Sequence, residues 1–430
     1  PMRNSGMLSH TITGIGDGDV FDNSTALNAS LVTDDQRAGL YIFGQNRHRS
    51  AYDHDGDGYS EIPKLHGQTI GFRSFLKTTT YSKLTFEYHH MEEFRRGGDL
   101  LNRPPHEANV AEQTEHSING GGLKFDYFSP NENHRFNVFA SAQHINRDSY
   151  YGPGDRDPLD AYGNTTDLNW MAGSQYVYSF GKCIFMPSDL TAGIEFNQDK
   201  LEDNMWGYNR TVDQKVNIGS AFLQNEWKND HWGFLIGGRL DKHNLIDHVI
   251  FSPRANLRYN PTENINLRFS YSSGFRAPQA FDEDLHVENV GGNVAMVELA
   301  DNLKEERSQS LSASADIYHR FGAFQVNFLV EGFYTKLSDV FALTDGEVVD
   351  GILTRTRHNA SGAQVLGLTL EGKMAYLNKI QVQAGVTLQQ SHYSKPHIWN
   401  KEAPAVKKMM RTPNTYGYFT ATYTPIKPLS

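Results

Sequence analysis

Apolar and polar side chains alternate along the chain with a period of two residues. From Asn264 to Tyr271 every odd position is apolar and every even position is polar, and Arg254–Asn260 repeats the pattern. Because successive side chains of a β-strand point to opposite faces, each run predicts a strand with one apolar and one polar face. Pro261 and its neighbours favour a tight turn between the runs. The segment therefore predicts one antiparallel hairpin.

The same hairpin recurs along nearly the whole chain, and short turns alternate with longer polar segments. The other short turns are expected near 33–36, 79–81, 129–133, 180–188, 228–230, 319–322 and 377–379. The longer segments are 49–66, 95–115, 149–166, 202–213, 274–307, 338–361 and 394–412. We expect about seventeen strands of roughly ten residues, the length that crosses a bilayer at a tilt. The sequence thus predicts an all-β fold, a large antiparallel transmembrane β-barrel with short periplasmic turns and long outer loops.

The composition fits such strands and excludes other classes of protein. Of the 430 residues 38% are hydrophobic, the formal net charge is -10, and the mean hydropathy is -0.56. There is no run of about 18 apolar residues, so no membrane-spanning helix is expected. The acidic balance and the lack of a basic stripe argue against nucleic acid as a partner. Cys183 is the only cysteine, which excludes an intrachain disulfide. No catalytic motif occurs, and an enzyme is not expected.

Aromatic side chains gather at the strand ends beside the short turns. Since amphipathic rings favour the interface between lipid and water, this placement predicts an aromatic girdle around the barrel. The residues concerned are Tyr127, Phe128, Trp227, Trp232, Tyr259, Tyr318, Phe321 and Tyr376.

Three segments resemble a known family. Ser273–Pro278 resembles the S-x-G-F-R-A-P signature of TonB-dependent receptors, and Ser252–Pro261 resembles the strand that precedes it there. Asn302–Ser308 is similar to the N-L-x-P-E-x-S segment that follows, except that Glu305 replaces the Pro. The order and spacing of the three segments fit the family. The signature residues in this chain are Gly274, Phe275, Arg276, Ala277, Pro278, Asn302 and Leu303.

The resemblance implies a barrel of about twenty-two strands that encloses an N-terminal plug, preceded by a segment that contacts TonB. Residues 1–430 are then expected to form a partial barrel domain without the plug, the first strands and the terminal strand. For Arg276 the resemblance implies a structural role in the barrel wall. The implied protein is a receptor of the bacterial outer membrane. It binds a scarce nutrient, an iron chelate or a cobalamin-like vitamin, with its outer loops and imports it with energy delivered by TonB. A surface lipoprotein is a further partner that the resemblance leaves open.

One acidic segment predicts a metal site. Asp53, Asp55 and Asp57 alternate in Asp53–Glu61, and Gly58 permits a sharp turn that would bring the Tyr59 carbonyl towards the same point. Glu61 stands at the ninth position of this pattern, where a further ligand or its water would lie. The twelfth position is Lys64, which excludes a helix–loop–helix calcium site. We expect a structural Ca²⁺ that pins an outer loop, with a solvated acidic turn as the alternative.

Three histidines are candidate ligand contacts. His286 lies between the two signature segments, where haem-importing relatives can place a haem ligand. His89 and His90 lie where a strand is expected to meet a long outer loop, at the mouth of the barrel. The alternatives to a siderophore or vitamin receptor are a haem receptor of the same family and a passive porin-like channel. An outer-membrane enzyme and a soluble calcium-binding adhesion protein are more distant alternatives.

Overall fold

Nearly the whole chain forms β-strands in a computed structural model. The structure describes residues 3–18, 20–153, 161–281, 285, 288–290, 293–344, 346–349, 352–377, 379–397, 404–410 and 412–424. The strands are β1 (Ser5–Ile15), β2 (Val20–Val32), β3 (Ala38–Arg49), β4 (Ser60–Thr79), β5 (Ser82–Gly98), β6 (Val110–Phe128), β7 (His134–Pro153), β8 (Tyr162–Cys183), β9 (Met186–Met205), β10 (Arg210–Lys228), β11 (Trp232–His243), β12 (Ile250–Thr262), β13 (Ile265–Arg276), β14 (Glu288–Val290), β15 (Asn293–Leu299), β16 (Glu306–Phe321), β17 (Phe324–Ser338), β18 (Phe341–Leu343), β19 (Glu347–Val349), β20 (Ile352–Asn359), β21 (Ala363–Tyr376), β22 (Ile380–His397), β23 (Val406–Lys408) and β24 (Thr415–Tyr423). Within the described ranges, the 3-10 helices Pro105–Glu107 and Trp206–Tyr208 lie between strands. Among the described residues no helix is long and apolar enough to cross a membrane.

One antiparallel sheet of 19 strands forms the wall of the molecule. Each strand from β1 to β13 pairs with the next in the chain, and the ladder continues through β16, β17, β21, β22 and β24. Within the described part of the chain β1 is one edge of this sheet, and β24 and the short β23, both paired with β22, form the other. The all-β class and the antiparallel order predicted from the alternation are confirmed.

The register places apolar side chains in continuous rows on one face of the sheet. Leu257 of β12 lies between Phe234 of β11 and Phe269 of β13. The next residue, Asn256, points to the other face, where it lies opposite Ser270. Ile70 and Ile194 on the apolar face are each 62% exposed. An apolar face that stays open to its surroundings over so many strands is not a protein core, and it needs another apolar phase to cover it.

The short turns occur where the alternation predicts them, whereas the strands are longer than predicted. β8 has 22 residues and β9 has 20, about twice the expected length. Segment 202–213, predicted as a long connection, is strand except for residues 206–209. At the outer ends of these strands the regular alternation of apolar and polar residues stops, while the backbone ladder continues.

The connections opposite the short turns are called the outer connections. The two longest of them, between β13 and β16 and between β17 and β21, contribute the strands of a second, smaller sheet. It has the order β14-β15-β20-β18, and β19 also pairs with β20. β15 and β20 come from different connections and pair in parallel from Val294↔Ile352 to Leu299↔Arg357. Met296 of β15 and Ile352 of β20 join an apolar cluster at the outer ends of β6–β9. Its other members are Ala108, Ala111, Tyr150, Tyr151, Ala161, Tyr162, Met205 and Tyr208.

Candidate functional site

Arg276 of the signature joins the end of β13 to the outer connections. Its guanidinium lies 3.9 Å from the centroid of the Phe281 ring and 5.7 Å from that of Phe341. Arg357 of β20 faces the same two rings at 5.8 and 6.0 Å. Cations over aromatic faces attract the ring quadrupole, and the four side chains form one stack. Ala277, which follows Arg276, is buried.

The other signature residues hold the base of these connections. Gly274 lies opposite Ser308 in the register, and Phe275 lies opposite Arg307. Pro278 is buried, Leu303 is half-buried and Asn302 is exposed. The signature therefore contributes backbone pairing and packing at the foot of the outer connections, with Asn302 as its solvent-facing member.

Glu305, the residue that departs from the family pattern, joins two connections. Its carboxylate is 7% exposed and accepts hydrogen bonds from Arg307 Nε at 3.0 Å and Nη2 at 2.8 Å. His248, in the connection between β11 and β12, brings Nε2 to 3.0 Å from the same carboxylate oxygen. Burial raises the pKa of Glu305, but the hydrogen bond and charge of Arg307 and the charge of His248 outweigh it and hold that pKa below its ordinary value.

This arrangement predicts a pH dependence of stability. The pKa of the Glu305 carboxyl is lower in the folded protein than in the unfolded chain, where it is about 4.3. The carboxylate therefore stabilises the fold fully at pH values above 4.3, and this contribution is lost as the pH falls through the pKa of the folded protein. Glu305→Gln should therefore lower the free energy of unfolding at pH 7, and the difference from wild type should close towards pH 3. Urea unfolding of both proteins across this range measures it. A difference that stays constant with pH would contradict the assignment.

A buried charge cluster lies at the outer ends of β7–β10. Asp203 is 1% exposed and accepts a hydrogen bond of 2.6 Å from Thr165 Oγ1. Arg147 and Arg210 place Nη atoms 3.6 and 3.8 Å from its two carboxylate oxygens. Arg210 Nη1 also donates to the Leu285 carbonyl at 3.2 Å, which ties the outer connection to the wall. The sequence carried no signal for this cluster, because its members are far apart in the chain and alternate with other polar residues.

A cavity of about 660 Å³ lies beside this cluster. That volume falls in the range of about 300–1,000 Å³ typical of small-molecule sites. It lies between the outer end of β10 and the second sheet. The residues that line it are Asn209, Arg210, Thr211, Val212, Asp213, Gln214, Lys215, Leu245, Pro278, Ala280, Met296, Val297, Glu298, Leu299, Ala300, Asp301 and Leu303.

The acidic segment between β3 and β4 brings its carboxylates together. Asp53, Asp55, Asp57 and Glu61 each place one ligand atom within 4.8 Å of the others. Asp53 also accepts hydrogen bonds from the backbone N–H groups of Gly56 and Gly58 at 2.7 and 2.8 Å. These two glycines have φ of 76° and 90°, a conformation that side chains rarely adopt. Tyr59 donates its backbone N–H to Asp57 at 2.8 Å.

Of the candidate histidines the structure describes His89 and His90, and these two do not share a site. His89 and His90 lie within β5 and not at its junction with the outer connection, so that part of the prediction was wrong. Being adjacent in a strand, they point to opposite faces. The ring of His89 lies over Gly120 on the polar face, whereas His90 Nδ1 is 3.0 Å from Asn119 Oδ1 on the other face. His286 lies outside the described residues.

Solved structures similar to this chain include siderophore receptors. The siderophore receptor PirA from Acinetobacter baumannii has a TM-score of 0.72 at 14% sequence identity, covering 91% of this chain and 63% of that one. A mutant of the ferric enterobactin receptor PfeA from Pseudomonas aeruginosa has a TM-score of 0.71 at 12% identity, covering 98% and 73%. The alcaligin receptor FauA from Bordetella pertussis gives 0.64 at 13%, covering 99% and 65%. The chain therefore spans less than two thirds of the first and last of these receptors, and at such identities the likeness shows the fold alone.

The sequence itself carries the family assignment. No curated protein matches the chain in sequence. The family model described as TonB dependent receptor-like, beta-barrel matches residues 8–429. Members of that family are receptors and transporters and not enzymes, in agreement with the lack of a catalytic motif. Since the match covers almost every residue, the chain belongs to the TonB-dependent receptor-like β-barrel family.

Proposed function

We propose that this chain is the wall of a bacterial outer-membrane receptor that captures an iron chelate with its outer connections. The observation that carries the proposal is the joining of two long connections into one sheet, with a cavity of about 660 Å³ between that sheet and the wall. A preformed concave site on the outer side suits capture of a dilute solute. The fold is similar to that of siderophore receptors such as PirA, which supports an iron chelate as the solute.

The two faces of the sheet support a place in a membrane. Exposed apolar rows would face lipid, and the polar face would line the interior. Aromatic side chains lie at the ends of strands beside the short turns, as in the stack of Trp232 on Tyr259 with ring centroids 4.2 Å apart. Phe324 and Tyr376 form a similar pair at 4.6 Å. These pairs fit the girdle expected where lipid meets the periplasm.

Uptake of the nutrient through the interior of the barrel would need energy from TonB and a plug that responds to the ligand. Both are proposals for this chain, and they rest on its family membership. The outer connections would supply affinity, and TonB would supply the work of release. No covalent bond of the nutrient changes in this scheme.

Binding to the complete gene product, purified in detergent, tests the proposal. Affinity would be measured for ferric catecholates, ferric hydroxamates, haem and cobalamin. We expect tight binding of one ferric chelate. Tight binding of haem or cobalamin instead would support the receptor function and would show that the nutrient is not an iron chelate of the siderophore type. If none of them binds and the protein conducts ions steadily in planar bilayers, the proposal of a receptor is wrong and a porin-like channel replaces it.

We also propose that the acidic segment Asp53–Glu61 binds Ca²⁺ and holds the outer connection between β3 and β4. Two ligands on opposite sides of a calcium ion lie about 4.6–5.2 Å apart, which agrees with carboxylate atoms that all lie within 4.8 Å of one another. Hard oxygen donors are the ligands that Ca²⁺ prefers. The ion would also relieve the repulsion among four carboxylates.

Removal of calcium should loosen this connection. With EGTA we expect faster hydrogen exchange in residues 50–59, and titration calorimetry should give a dissociation constant of about 10⁻⁴–10⁻³ M, as in extracellular calcium modules. Asp55→Ala should weaken binding at least tenfold. Asp34→Ala, in the short turn between β2 and β3, is the matched control and should bind normally. Equal exchange rates with and without calcium would argue against the site.

A further inference from the structure

The short turn between β8 and β9 has an apolar tip. Cys183 pairs with Met186 at its base, and Ile184 and Phe185 form the tip. Ile184 is 80% exposed, the highest value for a large apolar side chain among the described residues, and Phe185 is 53% exposed. The next short turn at the same end of the wall, residues 229–231, has the sequence Asn-Asp-His. A tip of this kind exposes apolar surface that a polar turn would not.

Ile184 holds its backbone in an unfavourable conformation. Its φ is 64°, in the left-handed region. A β-branched side chain is rare there, whereas glycine and asparagine adopt this conformation readily. The turn itself needs no isoleucine, because its hydrogen bond runs between backbone groups, from the Phe185 N–H to the Cys183 carbonyl at 2.9 Å. A strained residue with an exposed side chain indicates that the side chain has a role of its own.

Phe185 determines the direction in which the tip leans. Its ring is stacked on Trp227 with centroids 5.6 Å apart and planes inclined by 15°, and it meets the Phe234 ring edge to face at 6.1 Å. Trp227 also donates its indole N–H to the Cys183 carbonyl at 3.0 Å. Phe234 pairs with Trp227 and with Leu257, so these side chains share the apolar face of the sheet. The tip therefore rests against the apolar face.

The polar face beside the turn is occupied by charged and hydroxyl groups. Asp189 accepts hydrogen bonds from Ser179 Oγ at 2.6 Å and from Lys228 Nζ at 2.8 Å. Lys228 follows Trp227 in β10, and adjacent side chains of a strand point to opposite faces. The apolar neighbours of the tip thus lie on one side of the sheet, and the ionic neighbours lie on the other.

We propose that the turn between β8 and β9 inserts its tip, Ile184 and Phe185, into the lipid leaflet around the periplasmic end of the wall. The apolar surface runs without interruption from the rows of the sheet through Phe234 and Trp227 to the tip, so one lipid phase would cover all of it. Burial of Ile184 among acyl chains removes its surface from water. Aromatic rings favour the level where the chains meet the headgroups.

The inserted tip would act as an anchor. Contacts at the interface set how deep and at what tilt a spanning protein lies in its bilayer. The inference rests on the proposed place of the wall in a membrane, and it adds a lipid contact at one particular turn.

The test uses the complete gene product in vesicles of phosphatidylethanolamine and phosphatidylglycerol. Each sample carries one nitroxide label, in a background without other reactive cysteines in which Cys183 is replaced by serine. The labelled variants are Ile184→Cys, Asp230→Cys in the polar turn between β10 and β11, and Leu257→Cys in the apolar rows. Electron spin resonance measures how often each label collides with oxygen, which concentrates in hydrocarbon, and with a nickel chelate, which stays in water.

We expect the label at 184 to collide with the nickel chelate at least about fivefold less often than the label at 230, because hydrocarbon excludes polar solutes. It should also collide with oxygen more often. Phe185→Ser removes the ring that is stacked on Trp227 and should return the label at 184 to the values found at 230. Phe324→Ser, which removes a ring stacked on Tyr376 in another hairpin, is the matched control and should change nothing at 184.

Three other results would contradict the inference. If the label at 184 behaves as in water and the label at 257 behaves as in lipid, the tip is not inserted, and the place of the wall in a membrane stands. If both labels behave as in water, the inserted tip and the membrane assignment are both wrong. If the label at 184 rarely meets either reagent, protein covers the tip and lipid does not.

Discussion

Replacement of Asp203 by alanine should lower the opening free energy of the β9–β10 hairpin by about 3–5 kcal/mol. The carboxylate is 1% exposed, and its removal takes away the counter-charge that the guanidinium groups of Arg147 and Arg210 share. Breaking a buried ion pair by removing one member is strongly destabilising, because the desolvation cost of the other member remains. Native-state hydrogen exchange in residues 200–216 measures the opening free energy.

The neighbouring Glu202 offers the matched control. It forms an ion pair with Lys200 in which both side chains are about half exposed, so Glu202→Ala should change the opening free energy by less than about 1 kcal/mol. Adding Arg147→Ala to Asp203→Ala removes one of the two guanidinium groups that Asp203 balances and should recover part of the loss. Equal exchange in Asp203→Ala and Glu202→Ala would show that the buried cluster does not hold the hairpin.

Replacement of Leu257 by arginine should destabilise the barrel in lipid vesicles by about 2–4 kcal/mol, the value for an arginine near the bilayer midplane. Leu257 lies among apolar neighbours, six residues before the short turn. The charge would lie in hydrocarbon at this depth. Urea unfolding in vesicles measures the change.

Asn256→Arg is the control for this prediction, because the two residues are adjacent and share the same depth. Asn256 points to the polar face, where water and other polar groups can solvate the new charge. The free energy of unfolding of the Asn256→Arg variant should differ from that of the wild type by less than about 1 kcal/mol. A larger loss for Asn256→Arg than for Leu257→Arg would assign the lipid to the opposite face of the sheet.

The local pattern was sufficient to predict the antiparallel ladder and its turns. Within a hairpin such as that of β12 and β13 the information is local: a two-residue period, a turn residue such as Pro261, and a second run in phase. Register follows, because a slip of one residue would exchange the apolar and polar faces. That is why the short turns lie where the sequence places them.

The outer half of the molecule was less accessible to this reasoning. β14, β15, β18, β19 and β20 lie in the connections outside the wall, where no lipid phase imposes a regular alternation. Their pairing depends on contacts between connections that are far apart in the chain, such as β15 with β20. The partnership of Glu305 with His248 has the same origin. The sequence marked Glu305 only as a departure from the family pattern, and it carried no signal for His248.

The acidic segment was predicted residue by residue because all its members lie within nine positions. The structure brings Asp53, Asp55, Asp57 and Glu61 together, and whether the group holds calcium stays a prediction. His89 and His90 illustrate the reverse case. They were expected where a strand meets an outer loop, whereas they lie within β5, where adjacent side chains point to opposite faces.

The parallel pairing of β15 with β20 has a consequence for engineering and divergence. Six register pairs join the connections, from Val294↔Ile352 to Leu299↔Arg357, so an insertion in either one displaces its partner. Transplanting only one connection into a related barrel should therefore leave a mismatched ladder, whereas transferring 277–305 and 339–362 as a unit should carry the recognition surface with them. Lineages that change their nutrient are then expected to exchange both segments together.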